Sequence, residues 1–166
     1  YLTSYDDLVA WSSDAGLVDK DAADGLRRKA TARPAEARRA LERALALRDA
    51  VYATCTAADA GAWEIVAVEA RAAATAAVLV PDAPAGRRWV IPDSVGVDLP
   101  TLEIGRAAGA LVSSIDLDSV RRCPGDGCGW LFIDARGRRR WCSMAVCGNR
   151  AKVRAHARRG RSETRG

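Results

Sequence analysis

The sequence predicts an α+β protein in two parts. Residues 1–118 read as a predominantly helical domain with a short β-hairpin; residues 119–160 read as a four-cysteine zinc module of treble-clef-like layout, a β-hairpin plus a basic helix. A disordered basic tail is expected over 161–166. Three observations carry this. Apolar residues in the first part recur at helical spacing between Gly and Pro breaks. Four of the five cysteines form two C-x4-C pairs, Cys123 with Cys128 and Cys142 with Cys147, separated by thirteen residues. Charge divides the same way: residues 1–118 carry 13 basic and 18 acidic groups, net −5, whereas residues 119–166 carry 13 basic and 3 acidic groups, net +10.

Taken in order, Asp6, Asp7, Leu8, Val9 and Trp11 start a short amphipathic helix that Gly16 ends, with Ser4 as its N-cap. A second short helix follows from about Lys20 to Ala30. Pro34, at an early helical position, opens a longer one to about Thr56, with an apolar stripe of Leu41, Ala44, Leu45, Val51, Tyr52 and Cys55. Gly61 marks the break before an alanine-rich helix, Ala62 to Leu79, and Pro81, Pro84 and Gly86 make a loop. Two short strands, Arg88–Ile91 and Val95–Val97, are expected around a Pro-Asp-Ser turn. Helical periodicity resumes from Leu99 to Ile115, where Gly105 and Gly109, four apart, would admit another helix closely.

At 100° per residue Arg48 falls near the centre of the long helix's stripe, where a cation needs a partner. It reads as a structural ion pair, or as a side chain snorkelling to solvent, or as the anion-binding group of a small-molecule pocket between helices.

The cysteine pattern is a metal pattern. Soft thiolates at this spacing suit tetrahedral Zn2+, because each short loop brings two sulfurs to one side of the ion. Cys123, Cys128, Cys142 and Cys147 are therefore expected to hold one structural zinc. Five cysteines in 166 residues are too few for a disulfide scaffold, and no apolar leader precedes Tyr1, so a cytoplasmic setting is expected. Cys55 reads as a small hydrophobe. The longest apolar stretch, Ala72 to Val80, is too short to span a membrane.

Within the module, Pro124, Gly125, Asp126 and Gly127 make a tight knuckle. Gly129–Asp134 and Arg138–Trp141 read as a hairpin joined by Ala135, Arg136 and Gly137, and a basic helix runs from Cys147 to about Arg159. A zinc ribbon with a helical tail is the alternative. Val146, Val153 and Ala157 share one helix face and are expected to pack on Trp130, Phe132 and Trp141. With so little core, metal binding should supply much of the folding free energy. Arg136, Arg138, Arg139 and Arg140 line the hairpin turn, while Arg150, Arg154 and Arg158 share one helix face and Lys152 and Arg159 another. Such asymmetry predicts a polyanionic partner, nucleic acid first and an anionic membrane surface second.

The run Cys123, Cys128, Gly129-Trp130-Leu131-Phe132-Ile133-Asp134, Arg140-Trp141-Cys142-Ser143-Met144 and Cys147-Gly148-Asn149-Arg150-Ala151-Lys152 resembles the CGNR zinc finger, found in bacterial putative stress-induced transcription regulators. Leu8–Leu17 and Ala46–Ala50 resemble, less specifically, the domain usually joined to it. The resemblance implies that the finger binds DNA and that the helical domain senses a ligand or stress signal. It carries over the zinc set and the basic positions Arg140, Arg150 and Lys152. Between its arginines the family tends to place Ser or Asn, whereas here the turn reads Ala135-Arg136-Gly137-Arg138-Arg139.

Most of these cations should contact phosphates, with Asn149 or Arg150 the candidates to reach base edges; Asn149 equally suits helix capping. His156, the one histidine, is expected to be exposed. The favoured function is a DNA-binding transcriptional regulator. An RNA-binding or ribosome-associated module, in which Trp130 or Trp141 stacks on bases, and a protein-interaction adaptor are the alternatives. No nucleophile with a nearby base is recognisable and the zinc is closed, so an enzyme is not expected. Dimerisation through the N-terminal helices is a natural hypothesis, since one small finger covers little DNA.

Overall fold

The computed structural model describes residues 2–57, 60–84, 86–114 and 116–163, with side chains left aside at 57 and 157–163. The chain forms two compact units, residues 1–114 and 115–166.

In the first unit, α1 spans Tyr5–Asp14 and begins at a capping box. The Ser4 hydroxyl accepts from the Asp7 amide at 3.1 Å, and the Asp7 carboxylate accepts from the Ser4 amide at 2.8 Å and from Thr3. The Thr3 hydroxyl, with the amides beside it, holds the Asp7 carboxyl well below the usual carboxylate range. Helix α2, Lys20–Ala32, is capped by Asp19, and Pro34 opens α3, Pro34–Ala57. Helix α4, Ala60–Ala76, leads into the antiparallel strands β1, Val78–Asp82, and β2, Gly86–Val90, which pair Leu79 with Trp89. A 3-10 turn, Asp93–Asp98, then feeds α5, Leu99–Ser114.

Two expectations fail here for identifiable reasons. The stripe of α3 is not the one led by Leu41, Leu45 and Tyr52; the buried face is Ala37, Ala40, Ala44, Leu47, Ala50 and Thr54, at i, i+3, i+7 spacing. Alanine adds little hydrophobic signal but allows close approach, as the Thr101 hydroxyl donating to the Ala40 carbonyl at 2.9 Å shows. Arg48 consequently stands exposed, its Nε donating to Asp49 at 2.8 Å. The hairpin is also displaced. Val78 and Leu79, read as a helix end, open the first strand, while Gly96 at φ 71° turns residues 93–98 out of extended geometry. Val97 is buried there, and its carbonyl accepts from the buried Tyr5 hydroxyl at 2.8 Å.

Gly105 and Gly109 do what their spacing predicts. A Cβ on Gly105 would lie 2.8 Å from the Glu69 carbonyl oxygen, and one on Gly109 would lie 2.8 Å from the Ala70 Cβ. The contact is braced by Arg43, which forks onto both Glu69 oxygens at 3.0 and 2.7 Å and reaches Asp98 at 2.8 Å. Ile115, expected to end α5, lies outside the described residues.

In the second unit, a 3-10 turn, Leu117–Ser119, precedes strand β3, Val120–Arg122. This pairs antiparallel with β4, Leu131–Ile133. The ladder therefore brackets the first cysteine pair, and the expected strand Arg138–Trp141 does not form. Asp134 is the cause: its carboxylate accepts from the amides of Arg138 at 2.8 Å and Arg139 at 3.1 Å, folding the chain into a turn that takes up the would-be strand donors. A π-helical turn, Met144–Gly148, runs into helix α6, Asn149–Glu163, which takes in the first three residues of the expected tail.

Candidate metal centre and its basic surface

The four sulfurs are brought together by local backbone chemistry. Strand β3 delivers Cys123, whose amide donates to the Trp130 carbonyl at 2.8 Å, so the knuckle closes as an extension of the ladder. Gly127 and Gly129 take positive φ, and the Cys128 amide returns to the Gly125 carbonyl at 2.9 Å. Gly125 leaves room for the metal, since a Cβ there would sit 3.0 Å from the Cys147 sulfur. On the other side, the Ser143 hydroxyl caps the π-helical turn by accepting from the Val146 amide at 3.3 Å. A Cβ on Gly148 would run into Met144 Sδ and press on Trp141, and the Asn149 side-chain amide donates to the Ala145 carbonyl at 3.1 Å. The quartet Cys147-Gly148-Asn149-Arg150 thus builds the turn that aims the fourth ligand.

All four Sγ atoms lie within 4.8 Å of one another, with Cys128 to Cys142 at 3.6 Å and Cys142 to Cys147 at 3.7 Å. A tetrahedron with Zn–S arms of about 2.3 Å has edges of about 3.8 Å, whereas a disulfide requires about 2.05 Å. The donor set fits one Zn2+, and four thiolates fill its coordination shell, so the ion is structural. Amides reinforce it: hydrogen bonding from the Cys142 backbone, with a second from Gly125, holds the Cys123 thiol down at about 7. Without the ion, thiol contacts from Cys128, together with burial, push Cys147 up to about 12, as expected where four sulfurs share one point. Among the described residues the second unit's apolar core is Cys123, Phe132 and Cys147, edged by Cys128, Trp141 and Cys142.

Val146, Val153 and Trp130 do not join that core, against expectation; they stand exposed, because the sulfurs and Phe132 already fill the small interior. Ala157 lies outside the residues whose side chains are described. His156 is exposed and apart from the sulfur cluster. In the first unit Cys55 is half-buried and free, burial raising its thiol.

The predicted basic residues fall into two groups. Arg136, Arg138, Arg150 and Lys152 are exposed and make no ion pair among the described residues. The others are engaged. Arg139 donates to the carbonyls of Cys142 at 2.8 Å and Ile133 at 3.4 Å and lies over the Phe132 ring at 5.0 Å. Arg140 covers Trp141 at 5.2 Å, and Arg154 reaches Asp126 at 3.3 Å, while the Arg158 side chain lies outside the described residues. Nothing in the sequence marks Arg139 as a brace, since its position depends on the Asp134 turn. No described helix is long and apolar enough to cross a membrane.

Residues 119–160 match the CGNR zinc finger model, and residues 1–115 match the model described as Putative stress-induced transcription regulator. Neither description names an enzyme. No curated protein matches the chain.

Proposed function

Because the chain belongs to the family of putative stress-induced transcription regulators and carries a CGNR zinc finger, we propose that it is a zinc-dependent DNA-binding regulator whose helical unit receives a ligand or stress signal. One observation carries the DNA reading: a metal-clamped module with 13 basic and 3 acidic groups over residues 119–166 presents Arg136, Arg138, Arg150 and Lys152 exposed and with no ion pair among the described residues. In this reading those four meet phosphates, where their charge displaces condensed counterions. Arg140, spread on Trp141, and Arg154, whose exposed pair with Asp126 is worth at most about 1 kcal/mol, can turn to the same backbone. Arg158 joins them by its place on α6. Asn149 serves the turn with its amide, which favours a place in the scaffold over base readout for it.

The test is duplex binding by the full chain, with zinc and after chelation. Zinc-dependent binding whose log–log salt slope lies between about −4 and −6, about four to seven contacts at about 0.9 each, supports the reading. Loss of zinc with no change in binding, or no binding at low salt, sinks it.

For the signal, room exists in a cleft of about 500 Å3 between α1, α2 and α3, lined by Tyr5, Arg27, Ala37, Arg38 and Leu41, rather than at Arg48. That volume suits a small ligand. A compound whose thermal stabilisation of the protein survives Leu41→Trp would bind elsewhere.

A further inference from the structure

Against the metal centre, with Cys128, Cys142 and Cys147 in its wall, runs a groove of about 620 Å3 that also takes in Trp130, Phe132, Val146 and Arg150. Val146 and Arg150 also border a second opening that continues to Val153 and Arg154 on α6. Three apolar side chains on this path are open to solvent: Trp130 at 72%, Val153 at 69% and Val146 at 48%. Single exposed apolar residues are ordinary, but a continuous apolar path fringed by guanidinium groups indicates something that covers it.

We propose that this groove is a binding site for an unpaired nucleobase of DNA, with Trp130 as the stacking platform and Arg150 holding the adjoining phosphate. The inference rests on the DNA reading above and adds that the finger prefers a strand end, gap or melted step to an intact duplex. In a paired duplex every base is stacked on its neighbours and offers Trp130 no face. An extruded base offers a flat apolar face with an anionic phosphate next to it, which is the chemistry the groove presents.

Two further observations single out Trp130. Its backbone is rigidly held, since its carbonyl accepts from the Cys123 amide at 2.8 Å and Leu131 pairs with Arg122 in the ladder. A platform fixed to the metal knuckle loses little freedom on stacking. Trp141 is already committed: it is half-buried, covered by Arg140 and pressed against Gly148.

The experiment compares one labelled sequence as a blunt duplex, as the same duplex with a short single-stranded overhang, and as single-stranded DNA and RNA. Each is titrated with the zinc-loaded chain, both units present, at fixed salt. The overhang and single-stranded DNA should bind more tightly than the blunt duplex. Trp130→Ala should remove that advantage, a loss of roughly 5- to 150-fold for one stacked base, leave blunt-duplex affinity unchanged, and retain its zinc. Trp130→Phe should keep most of the advantage. Equal affinity for blunt and overhung DNA, or equal losses on both with Trp130→Ala, would overturn the proposal while leaving duplex binding intact. Tighter binding to RNA would overturn DNA as the source of the base. Failure of every nucleic acid to bind would remove this inference together with the DNA reading.

Discussion

Arg139 separates the scaffold of the finger from its contact surface. Its guanidinium donates to the Cys142 carbonyl at 2.8 Å, more weakly to Ile133 at 3.4 Å, and lies over the buried Phe132 ring at 5.0 Å. A charged hydrogen bond contributes about 1.5–3 kcal/mol and an exposed cation–π contact about 0.5–1 kcal/mol. Arg139 is itself exposed, so the joint contribution is set at the low end, about 2 kcal/mol.

Folding of so small a unit is coupled to its metal, so that loss appears as weaker zinc binding. Arg139→Met should shift the chelator concentration that removes half the zinc by roughly 30-fold, since about 1.4 kcal/mol is tenfold. Arg150→Ala, which removes no hydrogen bond or ion pair among the described residues, should leave zinc retention unchanged and weaken DNA binding. The assay is zinc release to a colorimetric chelator, run beside duplex titration at saturating zinc. If Arg139→Met kept parental zinc affinity but lost as much DNA affinity as Arg150→Ala, the division between brace and contact would be wrong.

Gly→Ala substitutions should act in opposite directions in two helices. Gly105→Ala drives a Cβ to 2.8 Å from the Glu69 carbonyl, a packing cost of about 1–3 kcal/mol that exceeds the helix gain, whereas Gly25→Ala meets only the end of Arg28 at 3.8 Å and should stabilise by up to about 1 kcal/mol. Far-UV thermal melts in excess zinc check both, and a stabilised Gly105→Ala would refute the close α4–α5 contact. Glu69→Ala strands the Arg43 fork and should cost about 2–3 kcal/mol in the same melts, with a neutral outcome ruling out the fork as a brace. Gly125→Ala should weaken zinc binding by crowding Cys147 at 3.0 Å, read as earlier release to chelator. The Asp7 carboxyl is depressed in the fold below its ordinary 3.8, so the capping box contributes fully above that pH and its contribution is lost as pH falls further; Asp7→Asn should flatten this acid limb of stability.

What the sequence revealed depended on whether the signal was local. Ser4 with Asp7, Pro34, and the cysteine spacing are decided by residues within one turn or loop, and each appears where its chemistry requires. Gly105 and Gly109 were legible because a glycine pair in a helix needs a packing reason. The face of α3 was not, because its seam is mostly alanine, with Leu47 its one large apolar residue, while Leu41, Leu45 and Val51 stand half-exposed. Both hairpins were misplaced where competition was decisive. Val78–Val80 follows an alanine-rich run that hides its β-branched character, and the Asp134 side chain captures amides that a strand at Arg138–Trp141 would have used. Within the site, Arg139 read as another surface cation until the turn fixed its geometry, and Trp130 as core until Phe132 and the sulfurs filled the interior.

The metal and the basic surface also depend on one another. Zinc with four thiolates carries a net charge of about −2 within a stretch, residues 119–166, whose side chains carry net +10. That centre offsets part of the repulsion among Arg136, Arg138, Arg140, Arg150 and Lys152, and its coordination bonds supply what three buried apolar residues cannot. Remove the ion and both terms reverse together: the core loses its cross-link while the cations remain crowded. The unit can therefore present a dense cationic face only while metal is bound, and adding salt to the metal-free protein, which screens the repulsion but restores no bond, should not refold it. A metal-free finger that regained its α6 helicity in high salt would show that repulsion alone had unfolded it, and that the zinc contributes little beyond charge.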